Sequence, residues 1–473
     1  MYNRIITFPV IAAALSLSGC AALQPTLPQP DAQIVDQWQN GETQSPPVDS
    51  SLDIFGASNT SDVGWRNFFT DPKLEQLIEL SLENNRDLRV AALNVQRARA
   101  QYRIQRSDRL PSLNGTAAMT RAGGDASADI EQYEANLGIA SYEIDLFGRV
   151  KNLSDAALQS YLATAEAQRS VQLSLVAEVA NAYLTFSSDL ELQRIAQATL
   201  ETYQEQYQIS SRGYELGSVS SLELSQVKTL LASAQADLAL YSGQIAQDTS
   251  ALSLLIGSPV NSDLLPDRFD LQVSGLAQLP AGVPSETLFR RPDLQRMEHQ
   301  LRAANANLAA ARAAFFPSIT LTGSVGSLSG ELSDLFGDNT GTWSFVPQIR
   351  VPIFQAGKLR SNRDVAALDR DIALATYEKT IQTGFKEVSD ALTFSETLAQ
   401  RRQAIEALVD AATETQSLSE KRYQAGRDSY LTLLDSQRTL YSARQALVQS
   451  LLREQSNRIE LYKVLGGGWN EES

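Results

Sequence analysis

Proline restricts this chain most, through where it is absent. None of its 16 prolines lies between Pro111 and Pro259, and none follows Pro352. Interior proline removes a helix hydrogen bond and clashes with the preceding turn, so these two gaps are where very long helices can form. Residues 151–212 and 358–422 are also poor in glycine. At about 1.5 Å per residue, a helix of about 60 residues is roughly 90 Å long, far beyond the usual three or four turns. Heptad stripes run through the same stretches. Val176, Tyr183 and Leu190 alternate with Val179 and Phe186, and Phe385, Val388 and Leu392 repeat the pattern. Ile405, Leu408 and Ala412 do the same, and Leu433, Leu440 and Leu447 recur every seventh residue. Such spacing is core packing of the coiled-coil kind, a seam between helices.

Two segments break the runs. RGYELGSVSSLEL (212–224) and KRYQAGRDSYLTLLD (421–435) each place a Gly three residues after a Tyr, then small polar residues, then renewed apolar periodicity. Both read as tight turns between antiparallel helices, centred on Gly217 and Gly426. An earlier helix is expected from Asp71-Pro72, with the carboxylate as N-cap and the proline at the first helical position. It is expected to weaken at Asn84-Asn85 and to stop before Pro111.

The two turns belong to an internal duplication. RDLRVAALNVQRARAQ at Asp87 resembles PDLQRMEHQLRAANAN at Asp293, and RLPSLNG at Pro111 resembles FFPSITLTG at Pro317. EIDLFGRV at Phe147 pairs with RVPIFQAGKL at Phe354. The offsets are 206, 206 and, for the two turn glycines, 209 residues. A near-constant offset marks two copies of one unit, each reading helix, strand pair, long helix, turn, helix. The copies are expected over 66–257 and 285–465, joined by 258–284 and followed by a tail at 466–473.

Each copy carries short period-two segments. In TGTWSFVPQIRVPIF, Trp343, Phe345, Pro347, Ile349, Val351 and Ile353 share one face, and the other is mostly polar. Ile319, Leu321 and Val325 face away from Ser318, Thr320, Thr322 and Ser324. YEANLGIASYEIDLF alternates less cleanly, through Tyr133 to Ile139 and then Tyr142 to Leu146. The Ala- and Gly-rich stretch after Pro111 is the weakest strand. RAGGDASADIEQ (121–132) and SLSGELSDLFGDNTG (327–341) read as polar loops. An amphipathic soluble sheet would alternate this way, and so would a membrane barrel. Four strands per chain cannot close, a bilayer tolerates no open edge, and barrels begin at about eight strands. Strands that enter a membrane must therefore be shared between copies: two would supply eight, three would supply twelve.

The N-terminus points to a membrane. Residues 1–19 carry Arg4 before a short apolar run, as in a secretory signal. The run is too short to span a bilayer comfortably and holds Pro9. It ends in Leu17-Ser18-Gly19-Cys20, which matches a bacterial lipobox, and Cys20 is the only cysteine. The thiol is read as the acceptor of a diacylglycerol, anchoring the mature chain by burial of methylenes. No other cofactor is expected. By resemblance to lipoprotein sorting signals of Gram-negative bacteria, Ala21 in place of Asp implies sorting to the outer membrane. Residues 20–65, with Pro46 and Pro47, read as a linker. One cysteine excludes an intrachain disulfide framework, and one histidine, His299, leaves no His-based metal cluster. A net charge of −15 argues against nucleic acid, whose binding needs clustered Lys and Arg. No G-x-S-x-G, Walker A or G-x-G-x-x-G element occurs, so no enzyme is expected.

The lipobox, the duplicated unit, FFPSITLTG, the paired Tyr–Gly turns, RRPDL (290–294) and the LYKVLGGGW tail together resemble the TolC-type outer membrane factors, most of all their OprM/NodT-like lipoprotein branch. The resemblance covers Gly64 to Trp469. It implies a mainly α chain with a transmembrane β portion: a homotrimer whose twelve strands form one outer membrane barrel, continued across the periplasm by an α-helical barrel. It also implies a passive exit duct for drugs or other small amphiphiles, working with a periplasmic membrane-fusion adaptor and an inner-membrane transporter of the resistance–nodulation–division type. Carried over by residue, Leu431 and Asp435 match a constriction and an acidic ring at the periplasmic end. They lie four apart and so share a helix face; rings of these kinds gate channels. Tyr423 matches a tyrosine that holds the coils shut, Glu223 an acidic position near the inter-coil contacts, and Gly217 and Gly426 the turns at the periplasmic tip. The TolC type has an acid where this chain has Thr432 and an Arg where it has Asp428, so the locking network differs. Without the resemblance, each of these is a solvated helix-surface residue. Two other readings stay open: a type I protein-secretion duct, and a lipid-anchored coiled-coil protein without a pore, which leaves the repeated strands unexplained.

Overall fold

The computed structural model describes residues 25–31, 64–124, 127–269, 276 and 285–467. Cys20, the signal segment, most of the linker, residues 270–275 and 277–284 and the last six residues lie outside them. After a short helical turn at Trp65–Phe68, the elements run α1 (Pro72–Asn84), α2 (Arg86–Ser107), β1 (Leu113–Gly124), β2 (Ser127–Ile144), α3 (Arg149–Glu215) and α4 (Ser221–Ile256). The second series is α5 (Pro292–Ala313), β3 (Ser318–Ser329), β4 (Gly341–Arg350), α6 (Lys358–Gln424) and α7 (Tyr430–Val464). The long helices α3 and α6 have 67 residues each and fill the two proline gaps. Among the described residues no helix is apolar enough over its length to cross a membrane.

The chain divides into two compact units. One holds Leu93–Glu166 and Gln295–Thr380 with residues 25–31. Its four strands form one antiparallel sheet in the order β1-β2-β3-β4. The register aligns Leu113, Ile139, Gly323 and Phe345 in one row, and Ile144, Ile319 and Ile349 in another. Side chains directly opposite in a ladder share a face, so one face is mainly apolar over this part of the sheet and turns polar towards Arg121, Glu131, Ser327 and Ser329. The other carries Asn114, Asn136, Thr320, Thr322, Ser324 and Gln348, with Ser324 and Ser344 hydroxyls 2.8 Å apart.

The imperfect alternation of β2 has a cause. Ser141 has φ +52°, and the pairing with β3 skips between Ile139 and Tyr142. This bulge returns Tyr142 and Ile144 to the apolar face. Two glycines mark close approach between β2 and β3. A Cβ on Gly138 would meet the Gly323 carbonyl oxygen at 2.6 Å, and one on Gly326 would fall on Ala135 O. Both lie on the polar side, where the neighbouring strand leaves no room for a side chain. Two expectations are corrected. Residues 121–132 are almost wholly strand, with Arg121 opposite Glu131: hairpin pairing overrides the loop-like composition. β4 ends at Arg350, so Val351 and Ile353 lie beyond it.

Residues 25–31 lie along α5 and α6. Asn305 Nδ2 donates to Pro25 O, and the Asp31 N–H to Glu378 Oε1, each at 3.0 Å. The lone histidine, His299, has Nδ1 2.7 Å from Gln159 Oε1, the bond of an ordinary polar histidine.

The other unit holds 64–92, Ala167–Leu294 and the chain from Ile381. Trp65, Phe68, Phe69, Leu74, Leu77 and Ile78 pack with Val176, Val179, Tyr183, Leu252 and Tyr462. Phe68 and Tyr462 stack at 4.0 Å. Asp71 caps α1, accepting the Lys73 N–H at 2.9 Å, with Pro72 at the first position. The break at Asn85 is a second cap, where Oδ1 accepts from Leu88 N–H at 2.9 Å. Arg291 is buried and donates to Asp293, to Glu387 and to the Val464 carbonyl at the end of α7. A buried charge needs such partners, which accounts for the RRPDL motif. Of the heptad positions, Val179, Val388 and Leu433 are buried, whereas Leu408 is 47% exposed.

Candidate functional site

The site is built by two turns of one design. Helix α3 ends in a turn where the Gly217 N–H donates to Tyr214 O at 3.0 Å and the Ser218 N–H to Gly213 O at 2.8 Å. Helix α6 ends the same way: Gly426 N–H to Tyr423 O at 2.8 Å, and Arg427 N–H to Arg422 O at 2.9 Å. These nested bonds require a left-handed residue, supplied by Gly217 at φ +75° and Gly426 at φ +65°. Both glycines have open space where a Cβ would stand, so φ, not room, selects them. A serine then starts the next helix in each repeat. Ser220 accepts from the Glu223 N–H at 3.1 Å, and Ser429 from the Thr432 N–H at 3.4 Å.

The second turn carries the interactions. The Tyr423 hydroxyl donates to Glu223 Oε1 at 3.4 Å, joining two residues 200 positions apart. Burial, then the Glu223 carboxylate, pushes this phenol above its ordinary value, so it stays a donor through neutral pH. Its ring lies 5.3 Å from that of Tyr430, whose hydroxyl donates to Gln206 Oε1 at 3.2 Å. Beneath them Val227, Leu433 and Leu434 form a small buried cluster. Across the turn, Arg422 Nε and Nη2 grip Asp428 at 2.6 and 3.0 Å. Those bonds hold the Asp428 carboxyl below its usual range.

Leu431 and Asp435 stand on another face of α7. Leu431 is 61% exposed and Asp435 is exposed. Among the described residues the Asp435 carboxylate makes no hydrogen bond or ion pair. The structure therefore joins Tyr423 to Glu223 and leaves Leu431 and Asp435 side by side and unpaired within one chain. The Arg422–Asp428 clamp was missed from sequence, although a cation and an anion six apart around a turn glycine are its signal. Higher in the same unit, Tyr441 donates to Asp237 at 2.9 Å and Gln445 to the Tyr241 hydroxyl at 3.0 Å, tying α7 to α4.

An amphipathic four-stranded sheet with two free edges, paired with twin 67-residue helices, defines one subunit of a channel that couples a β-barrel to a helical barrel. The model of the outer membrane efflux protein family matches residues 77–258 and 283–467. The chain belongs to that family, one of transport components rather than enzymes, and is an outer membrane exit channel of a Gram-negative bacterium. The toluene efflux pump outer membrane protein TtgC of Pseudomonas putida is 46% identical over 467 residues, covering 97% of this chain and 95% of that protein. The cation efflux system protein CusC of Escherichia coli is 40% identical, covering 97% and 98%. The open state of the Neisseria gonorrhoeae MtrE outer membrane channel superposes with a TM-score of 0.85 at 38% identity, covering 94% and 98%.

Proposed function

We propose that three copies close a twelve-stranded barrel and form the passive exit duct of a tripartite pump for drugs and other small amphiphiles. The sheet carries this reading. It has one mainly apolar face, one polar face and, among the described residues, no strand paired to the outer edges of β1 and β4, and lipid tolerates no such edge. The partners are a periplasmic membrane-fusion adaptor and an inner-membrane transporter of the resistance–nodulation–division type. A relative named for toluene efflux supports a small organic cargo. The relative named for cation efflux makes metal ions the second reading, since a passive duct need not coordinate what it passes.

Leu431 and Asp435 act as the constriction and acidic ring of the closed end, and Tyr423–Glu223 as the bond that keeps it closed. Cys20 carries the lipid. The test is native mass spectrometry of the full chain in nanodiscs with conductance of the same preparation. A trimer bearing acyl mass that Cys20→Ser removes, and a pore, supports the reading. A monomer, or a trimer without current, overturns it.

A further inference from the structure

The first unit holds a cavity of about 240 Å³ where the sheet meets its helices, lined by Glu143, Asp145, Phe147, Arg149, Phe316 and Arg350 among others. Arg350 pairs in register with Ser318 and so belongs to the polar face. The charges around it are already committed, with one exception. Arg149 donates through Nε at 2.9 Å and through Nη2 to the two oxygens of Glu143. The Asp145 carboxylate accepts the Lys151 N–H at 2.7 Å, in the first turn of α3, where the helix dipole favours an anion. The Arg350 guanidinium makes no hydrogen bond or ion pair among the described residues. Beside it, Phe147 and Phe316 stack at 4.8 Å with ring planes 22° apart, and Phe316 is 39% exposed.

The geometry points to a way-station for small organic anions at the inner end of the barrel. Its ligand is a carboxylate or sulfonate on a flat apolar body. The Arg350 guanidinium takes the anionic head in its fork, and the Phe147–Phe316 wall takes the body. The volume lies below the about 300 Å³ at which drug-sized sites begin. The cavity therefore holds one ring and a head group, not a whole drug. That suits a duct, where a site must attract cargo yet release it. The inference rests on the duct reading for its role, not for its chemistry.

The test uses the full chain in nanodiscs and saturation-transfer NMR, with benzoate as probe and benzyl alcohol as its uncharged counterpart. Benzoate binds the wild type more tightly than benzyl alcohol does. Arg350→Gln weakens benzoate about tenfold, Arg350→Lys keeps part of the affinity, and Arg121→Gln at the far end of β1 changes nothing. Equal benzoate binding in wild type and Arg350→Gln, or benzyl alcohol binding as tightly as benzoate, overturns the site. Trimer mass and pore current are read on each preparation. Current without benzoate discrimination removes the site and keeps the duct; discrimination without current does the reverse.

Discussion

The two helical turns share a backbone and differ in what closes them. At the 209-residue offset, Gly213 corresponds to Arg422 and Val219 to Asp428. In the first turn Val219 folds over Gly213 so closely that a Cβ there would sit 2.5 Å from its Cγ2. In the second the same pair of positions is the Arg422–Asp428 clamp. Tyr423 reaches Glu223, while its counterpart Tyr214 is 48% exposed. The two copies share the turn and differ in the side chains that close it, and the second joins its tyrosine to the other repeat. A second contrast lies higher in the same helices. In the second repeat Asn457 Nδ2 donates to Ser395 Oγ at 2.9 Å, a neutral and satisfied bond. At the position of Asn457 the first repeat has Asp248, which instead faces a second acid, Asp189, whose carboxyl is raised by burial and by the Asp248 charge; Asp248 Oδ2 is buried with no hydrogen bond among the described residues.

Four outcomes would sharpen or break this comparison. The largest is shared by both turns: Gly217→Ala and Gly426→Ala should each destabilise by about 1–2 kcal/mol, since an L-residue resists the left-handed region. Chemical denaturation of the two variants measures this, and unequal losses would show that the backbones are not equivalent. Next, Tyr423→Phe removes a bond to a charged acceptor, worth about 1 kcal/mol at this length, so open probability should rise about fivefold, while Tyr214→Phe leaves it unchanged. An equal response in single-channel records would deny the second turn its special role.

Third, the acid pair makes stability depend on pH. Burial, then the Asp248 charge, raises Asp189 to about 6. Its protonated form is favoured in the fold, so its stabilisation is full below the unfolded value near 4 and is lost as pH rises through about 6. The melting temperature should fall between about pH 4 and about pH 6, and Asp248→Asn should flatten the profile. A flat wild-type profile would mean that the carboxyls do not interact. The smallest effect is that of the exposed clamp. Asp428→Ala should raise conductance modestly, and less so in high salt, whereas Val219→Ala should not. Because Asp428 is held below the usual carboxylate range, its contribution is present above the unfolded value and vanishes only as pH falls below about 4. Currents from pH 5 to 8 should not change through this group.

Much of the fold was legible because it rests on local rules. Absent prolines marked α3 and α6, and the spacing of Tyr and Gly marked both turns. The slipped alternation of YEANLGIASYEIDLF foreshadowed the bulge at Ser141. Residues 121–132 were misread because Gly and Asp content speaks to turn propensity and not to the partner strand that holds them extended. The site was less legible. Nothing local says that Tyr423 meets Glu223; that contact follows from four helices packing side by side, and only the resemblance pointed to both residues. Leu222 and Leu431 look alike in sequence and are similarly exposed, at 69% and 61%. What separates them is the neighbour one turn on, Gln226 in one repeat and Asp435 in the other.

That pair of positions gives the most direct test. Wild type, Leu431→Ala/Asp435→Ala and the matching Leu222→Ala/Gln226→Ala would be compared in planar bilayers as trimeric full-length protein. A gated duct closed by the second repeat predicts a small wild-type conductance, a several-fold rise in the first double variant and none in the second. Equal and substantial currents from all three would contradict a gate at this ring, and no current from any inserted trimer would contradict the duct itself.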